Sequence, residues 1–204
     1  MSEKELDTEQ KIKEAARVLF QEKGFAGTKT RDIAEAAGIN LALLNYYFRS
    51  KQKLYDLIMT ETMQTFFGGI ISILNRKETS LEEKIEQFVD HYINLLMENN
   101  NVPHFILNMV RENPEEYVKK IGMMEAARSS FFFQQFMQAA MEGKIPPLNP
   151  LHFFMNLMSL VVFPFLAKPM LTATAQLNEE QFEQIVNERK RLIPLWIKET
   201  LSVK

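Results

Sequence analysis

At 204 residues, with a formal net charge of −2 and 46% hydrophobic content, the chain can hold one large domain or a small head on a larger body. The absence of cysteine excludes a disulfide framework and thiolate chemistry, and points to a reducing cytoplasm. No apolar signal-peptide core follows the start, and the most apolar run, Phe153 to Ala167, is interrupted by Asn156, Ser159 and Pro164 and falls short of the ~20 residues of a bilayer span, so no membrane partner is expected.

Taken in chain order, the pattern is helical throughout. Asp7 with Gln10 makes a capping pair for a first helix, whose apolar stripe is Ile12, Ala15, Ala16, Leu19 and Phe20 and which Gly24 ends. A second, short helix starts at Thr30, whose hydroxyl can cap backbone N–H groups, and Asp32 in its first turn complements the helix dipole. Ile33, Ala34 and Ala37 give it a small-residue face, and Gly38 supplies the backbone freedom to leave it sharply. Ile39 fills the corner and Asn40 caps a third helix, in which Leu44 and Phe48 turn inward. Leu41, Ala42, Leu43, Asn45 and Tyr46 are left outward. Two short helices around a tight turn form a helix-turn-helix candidate, the second helix being the one that reaches a DNA major groove. From Lys23 to Lys53 the chain carries six basic residues (Lys23, Lys29, Arg31, Arg49, Lys51 and Lys53) against the two acids Asp32 and Glu35. Positive charge therefore gathers where phosphates would be met.

Ser50 starts a fourth helix with Leu54, Leu57 and Ile58 on one face, continuing past Met63 toward Phe66. Gly68-Gly69 then marks a hinge or helix end, with close helix packing or a plain turn as the alternative. Ser80 starts the next helix, with Leu81, Ile85, Phe88, Tyr92 and Leu95 at helical spacing. A short helix around Phe105 to Val110 precedes a long one from Pro114 to about Met141, and 144–150 is a loop. Two long helices follow, Leu151 to Ala167 and Asn178 to about Leu201. The first of them is apolar almost all round and needs cover on every side. No segment shows strand alternation and no repeat is present, so the fold class is all-α with about nine helices.

The steps Ala15-Ala16-Arg17-Val18-Leu19-Phe20, Gly24-Phe25, Thr28, Asp32-Ile33-Ala34, Ala37-Gly38, Tyr47-Phe48-Arg49-Ser50-Lys51 and Leu54 span roughly residues 8 to 58. This segment closely resembles the N-terminal DNA-binding domain of the TetR family of bacterial transcriptional regulators. The resemblance implies a DNA-binding head, residues 1–50, and a ligand-binding and dimerisation body, 51–204, that pairs two copies through its last two long helices. Phe182, Ile185, Val186, Leu192, Ile193, Trp196 and Ile197 would serve that pairing, with Trp196 and Arg189 as anchors. By position, Thr28, Thr30, Tyr47 and Lys51 match backbone-contacting residues, and Leu41, Ala42, Leu43, Asn45 and Tyr46 the base-reading surface. Asn45 is the base reader to expect, since its amide donates and accepts at once to adenine, while Leu41 and Leu43 pack on thymine methyls or sugars. The family often has a lysine and a threonine at those two places, so this head has fewer polar readers. The function implied is a dimeric regulator, a repressor, that binds a palindromic double-stranded operator and is released by a mostly apolar or amphipathic small molecule.

Twelve Met and sixteen Phe make the body rich in flat and adaptable side chains, which suit either a core or an apolar pocket. Arg128 follows the stripe Tyr117, Ile121 and Met124, where a charge must escape to solvent, pair with an acid or meet an anionic ligand. The candidate ligand contacts are Phe88, Tyr92, Asn108, Met124, Arg128, Phe131 and Met158. Enzyme chemistry has no foothold: His91, His104 and His152 are scattered, and neither a phosphate-cradling Gly loop nor a nucleophile elbow is present. No metal and no cofactor are expected. The reading from a different class is a helical ligand- or protein-binding module whose head lacks specific operator binding.

Overall fold

The computed structural model describes residues 3–112, 114–115 and 122–202, and side-chain detail is absent for Glu3–Leu6, Phe66, Met109, Glu112, Met123 and Met124. Among the described residues there are eleven helices and no strand. They are α1 Glu3–Gly27, α2 Thr30–Ala36, α3 Leu41–Tyr47, α4 Lys51–Leu74, α5 Leu81–Glu98, α6 Val102–Glu112, α7 Met123–Ser129, α8 Phe131–Met141, α9 Pro150–Leu166, α10 Lys168–Ala175 and α11 Glu179–Leu201. They form two compact units, Met1–Thr65 with His104–Lys120, and Phe66–Pro103 with Ile121–Lys204.

In the first unit α1, α2, α3 and the start of α4 bury Ile12, Ala16, Phe20, Ile33, Ala34, Leu44, Phe48, Leu54 and Ile58. Tyr55 joins this core edge-on to Phe20, with ring centroids 5.0 Å apart, and touches Phe25 and Phe105 at 4.9 and 5.8 Å. Polar bonds tie α1 to α4 at its rim. Glu61 accepts from Lys13 at 2.7 Å and from Arg17 at 3.1 Å. Burial pushes the Glu61 carboxyl up, but hydrogen bonds and charge from Lys13 and Arg17 outweigh it, and the net pKa is lowered. The stabilisation from this pair is therefore complete above the ordinary carboxylate pKa and is lost as pH falls through the lower folded value.

The expected cap at Asn40 is in place, and Ser50, Ser80 and Asn178, expected as helix starts, serve as caps too, each accepting from the backbone N–H three residues on. Other expectations need correction. Asp7 is no cap: α1 already starts at Glu3, and Asp7 lies inside it, paired with Lys11 at 2.6 Å. Gly24, at φ +67°, kinks α1, which resumes as far as Gly27. Lys29, not Thr30, occupies the cap of α2, and no side-chain oxygen serves it. The long helix expected from Pro114 to Met141 is interrupted at Gly122, which is left-handed at φ +57°, and at Ser130, whose hydroxyl accepts the Phe133 N–H and begins α8. That break and the additional α10 raise the count above nine.

Helix α4 runs unbroken through Gly68 and Gly69, so the pair is no helix end. The physical reason for the second glycine is close approach: a Cβ on Gly69 would lie 2.3 Å from His91 Nε2, whereas one on Gly68 would meet nothing within 4 Å. Gly68→Ala is therefore expected to stabilise the chain by up to about 1 kcal/mol through helix propensity. Gly69→Ala should instead destabilise it by roughly 1–3 kcal/mol, with recovery when His91→Ala is added. Urea melts of the three variants check this, and equal effects at the two glycines would contradict the packing. By length and composition α4 could also cross a membrane, yet its Leu54, Ile58, Phe67, Ile70 and Ile73 are buried, as in a core helix.

In the second unit α9 buries Phe153, Leu157, Val161 and Phe165, and α11 buries Phe182, Val186, Ile193 and Ile197. Pro164 lies inside α9 and has no N–H to offer the Leu160 carbonyl four residues back. Arg189 of α11 supplies the missing donors, with Nη2 at 2.7 Å and Nε at 3.3 Å from that oxygen. Its guanidinium also stacks 5.3 Å over the Trp196 ring, and burial lowers its pKa.

Candidate functional site

The turn between α2 and α3 is built as its residues suggest. Gly38 adopts φ +67°, its N–H donates to Glu35 O at 3.0 Å, and Ile39 N–H donates to Ala34 O at 3.0 Å. Asn40 Oδ1 accepts from Leu43 N–H at 2.8 Å and sets the direction of α3. Leu44 and Phe48 anchor α3 inward, at 1% and 8% exposure. The opposite face presents Ala42, Leu43, Asn45 and Tyr46 to solvent, Tyr46 being 74% exposed, while Leu41 and Tyr47 are half-buried. The Tyr46 and Tyr47 rings meet edge-on at 5.4 Å.

The flanking residues divide into two kinds. Thr30 is half-buried, and Lys29, Arg31, Arg49 and Lys53 are exposed cations around α2 and α3. Thr28, by contrast, is 1% exposed, with its hydroxyl directed to Gly24 O at 2.8 Å and Leu19 O at 3.0 Å. Lys51 donates to Phe25 O at 2.8 Å and Thr28 O at 3.0 Å, with Nζ 4.1 Å from the Phe25 ring centroid. An ammonium has three donors, so one remains for an external oxygen. These two residues brace the kinked end of α1 against the start of α4, a role visible only once the chain is folded.

The second unit contains a cavity of about 340 Å³. Leu74, Ile85, Phe88, Phe132, Phe133, Phe136, Phe153 and Leu157 give it an apolar wall, and among the described residues Arg128 is the only charged one that lines it. Phe136 and Phe153 meet at 5.0 Å and Phe132 and Phe153 at 5.8 Å, so α8 and α9 share one aromatic wall. Of the residues singled out in the sequence, Phe88 and Arg128 line this cavity. Tyr92 is buried behind Phe88, ring centroids 5.3 Å apart, and Met158 is half-buried on α9. Phe131 does not line it, because α8 starts there and its ring instead lies 5.2 Å from Lys84 Nζ. Asn108 is exposed in the first unit, and the Met124 side chain lies outside the described residues. Lys84 is fully buried, donates to Thr79 O and Oγ1 at 2.6 and 2.9 Å, and has its pKa lowered by desolvation.

Residues 12–58 match the sequence profile of bacterial regulatory proteins of the tetR family, and that stretch holds the α2–α3 turn with its outward face. The chain belongs to the TetR family of bacterial transcriptional regulators. Similarity extends beyond the head. YttP of Bacillus subtilis (strain 168), a probable HTH-type transcriptional regulator, is 25% identical over 95% of this chain and 93% of its own length. IcaR of Staphylococcus aureus, the negative transcriptional regulator of the biofilm operon icaADBC, is 30% identical over 46% of this chain and 54% of its own. Among solved structures, AibR in complex with isovaleryl coenzyme A and operator DNA has a TM-score of 0.63 at 19% identity, covering 91% of this chain and 97% of AibR. The fatty acid degradation regulator FadR from Bacillus halodurans has a TM-score of 0.59 at 19% identity, over 92% and 94% of the two chains. At these identities the structural likeness is one of fold. This TetR-family chain is a transcriptional regulator and not an enzyme.

Proposed function

We propose that the chain is a homodimeric repressor that binds a palindromic operator and releases it when a mostly apolar, acid-bearing small molecule fills the cavity of the second unit. The observation that carries this reading is the phenylalanine-walled space of about 340 Å³ with Arg128 as the one charged residue lining it among those described. Such a wall takes an alkyl or aromatic body, and a guanidinium at its edge takes a carboxylate or related anion. AibR, solved with isovaleryl coenzyme A, and FadR, a regulator of fatty acid degradation, favour an acyl compound.

Residues 1–50 act as the DNA-binding head in this reading. Thr30, Tyr47 and Lys51 meet backbone phosphates, Thr28 holds the α1 end in place, and Leu41, Ala42, Leu43, Asn45 and Tyr46 face the bases. Residues 51–204 act as the body that takes the ligand and pairs the two copies. Pairing is supported by Phe163, Ile185, Leu195 and Trp196, which leave apolar surface on α9 and α11 open to solvent. Two heads are needed because a helix-turn-helix dimer reads two half-sites about one DNA turn, ~34–36 Å, apart.

The test begins with duplexes selected from the source genome by the full chain, with light scattering for its stoichiometry on and off DNA. Fatty acids, aromatic acids and acyl-coenzyme A compounds are then screened by thermal shift and titrated against the operator complex. A ligand coupled by ~1–3 kcal/mol weakens operator binding 5–150-fold. Arg128→Met keeps the volume and removes the charge, so it should abolish the response to an acidic ligand and leave operator affinity intact. If no acid shifts the melt and Arg128→Met merely lowers stability, the effector reading is wrong. A chain that stays monomeric on DNA contradicts the pairing.

A further inference from the structure

The reading face of α3 has an unusual chemical make-up for a surface that meets base edges. None of its seven residues, Leu41–Tyr47, carries a charge. Guanine is read in the major groove by Arg or Lys on O6 and N7, and the cytosine amino group by an acidic acceptor, so α3 offers neither. Asn40 Oδ1 already accepts the Leu43 N–H at 2.8 Å, which leaves only its Nδ2 donors, at the very start of α3. Asn45 is the one exposed amide on this face, and a bidentate amide matches adenine N6 and N7. The remaining exposed surface beside it is hydrocarbon from Ala42 and from Leu43, which is 36% exposed, together with the ring and hydroxyl of Tyr46. Hydrocarbon pressed on a G·C edge leaves donors and acceptors dehydrated without partners, whereas on thymine it meets the C5 methyl.

We infer that α3 selects an A·T core in each half-site, with Leu43 and Ala42 packed on thymine methyls and Asn45 on an adenine. This rests on the operator-binding reading above and adds which bases the operator presents to α3. The exposed cations Lys29, Arg31, Arg49 and Lys53 lie off α3 and act on the phosphate backbone, which positions the head and carries no sequence information.

The experiment selects duplexes from a random pool with the full-length protein at a fixed salt concentration, then replaces single thymines in the enriched core by deoxyuridine. The replacement removes one methyl group and leaves the pairing edge unchanged. Each contacted thymine is expected to lose about fourfold in affinity on replacement, the equivalent of ~0.8 kcal/mol per buried methyl. Leu43→Ala, an exposed truncation, should bind thymine and uracil duplexes alike at the position Leu43 touches. Enrichment of an invariant guanine opposite α3, or a core indifferent to uracil at every thymine, overturns the inference and leaves sequence-specific repression standing. No enrichment of any sequence overturns both. The uracil series is made in the DNA, so its outcome does not depend on a variant folding.

Discussion

Lys51→Met is expected to lower the melting temperature by roughly 5 °C, to weaken binding to every duplex, and to reduce the salt slope of binding by about one unit. The first effect follows from the bonds at Phe25 O and Thr28 O. Charged hydrogen bonds contribute ~1.5–3 kcal/mol when buried, and discounting for a half-exposed ammonium leaves about 2 kcal/mol in all. For a chain of this length that is a shift of several degrees. The second effect comes from the third ammonium donor. Two carbonyls and the Phe25 face hold the Nζ in one place, and in the operator-binding reading proposed above the donor they leave over meets one phosphate. Thermal melts and binding isotherms at four salt concentrations separate the two. A lower melting temperature with an unchanged slope makes Lys51 a brace alone. A lower slope with an unchanged melt removes the brace.

Arg189→Met should destabilise the chain by about 1–3 kcal/mol, because it leaves the Leu160 carbonyl in a packed interface with no donor. The informative partner is Pro164→Ala. Alone it adds an N–H that competes with Arg189 for a carbonyl already satisfied, and its effect should be small. In the Arg189→Met background it restores the helix's own bond to Leu160 O and should recover most of the loss. Chemical denaturation of the four chains gives the coupling directly. Additive losses would mean that Arg189 stabilises through its stack on Trp196 instead.

The parts of this structure legible in the sequence are those fixed by neighbours in the chain. Gly38 and Asn40 shape the α2–α3 turn through bonds to residues at most five positions away, and the caps at Ser80 and Asn178 work over three. The inward pull of Leu44 and Phe48 follows from helical spacing alone. Arg128 and Phe88 emerged from the apolar stripes they interrupt or extend. What escaped depends on partners distant in sequence. Lys51 and Thr28 resemble surface contacts until the kink at Gly24 brings the Phe25 and Gly24 carbonyls over them. The close approach of Gly69 to His91 joins helices more than twenty residues apart. The α8 part of the cavity wall, Phe132 and Phe136, was hidden for another reason: a single helix through residue 130 turns those rings differently from one restarted there. Ser130 itself was the available signal, since a serine three residues before Phe133 is a helix start as much as a helix interior.

The Arg189 bond to Leu160 also has a mechanical meaning. Proline leaves α9 with an open rung, the place where a helix bends most easily. Here that rung is pinned to the neighbouring helix instead of being left to flex. The cavity-facing residues Phe153 and Leu157 lie one to two turns before the pin, and Trp196 lies two turns beyond Arg189 on the other helix. Bending α9 at this rung has to break the Arg189 bonds or carry α11 with it, so the two helices are tied at Leu160, with Trp196 on the tied helix.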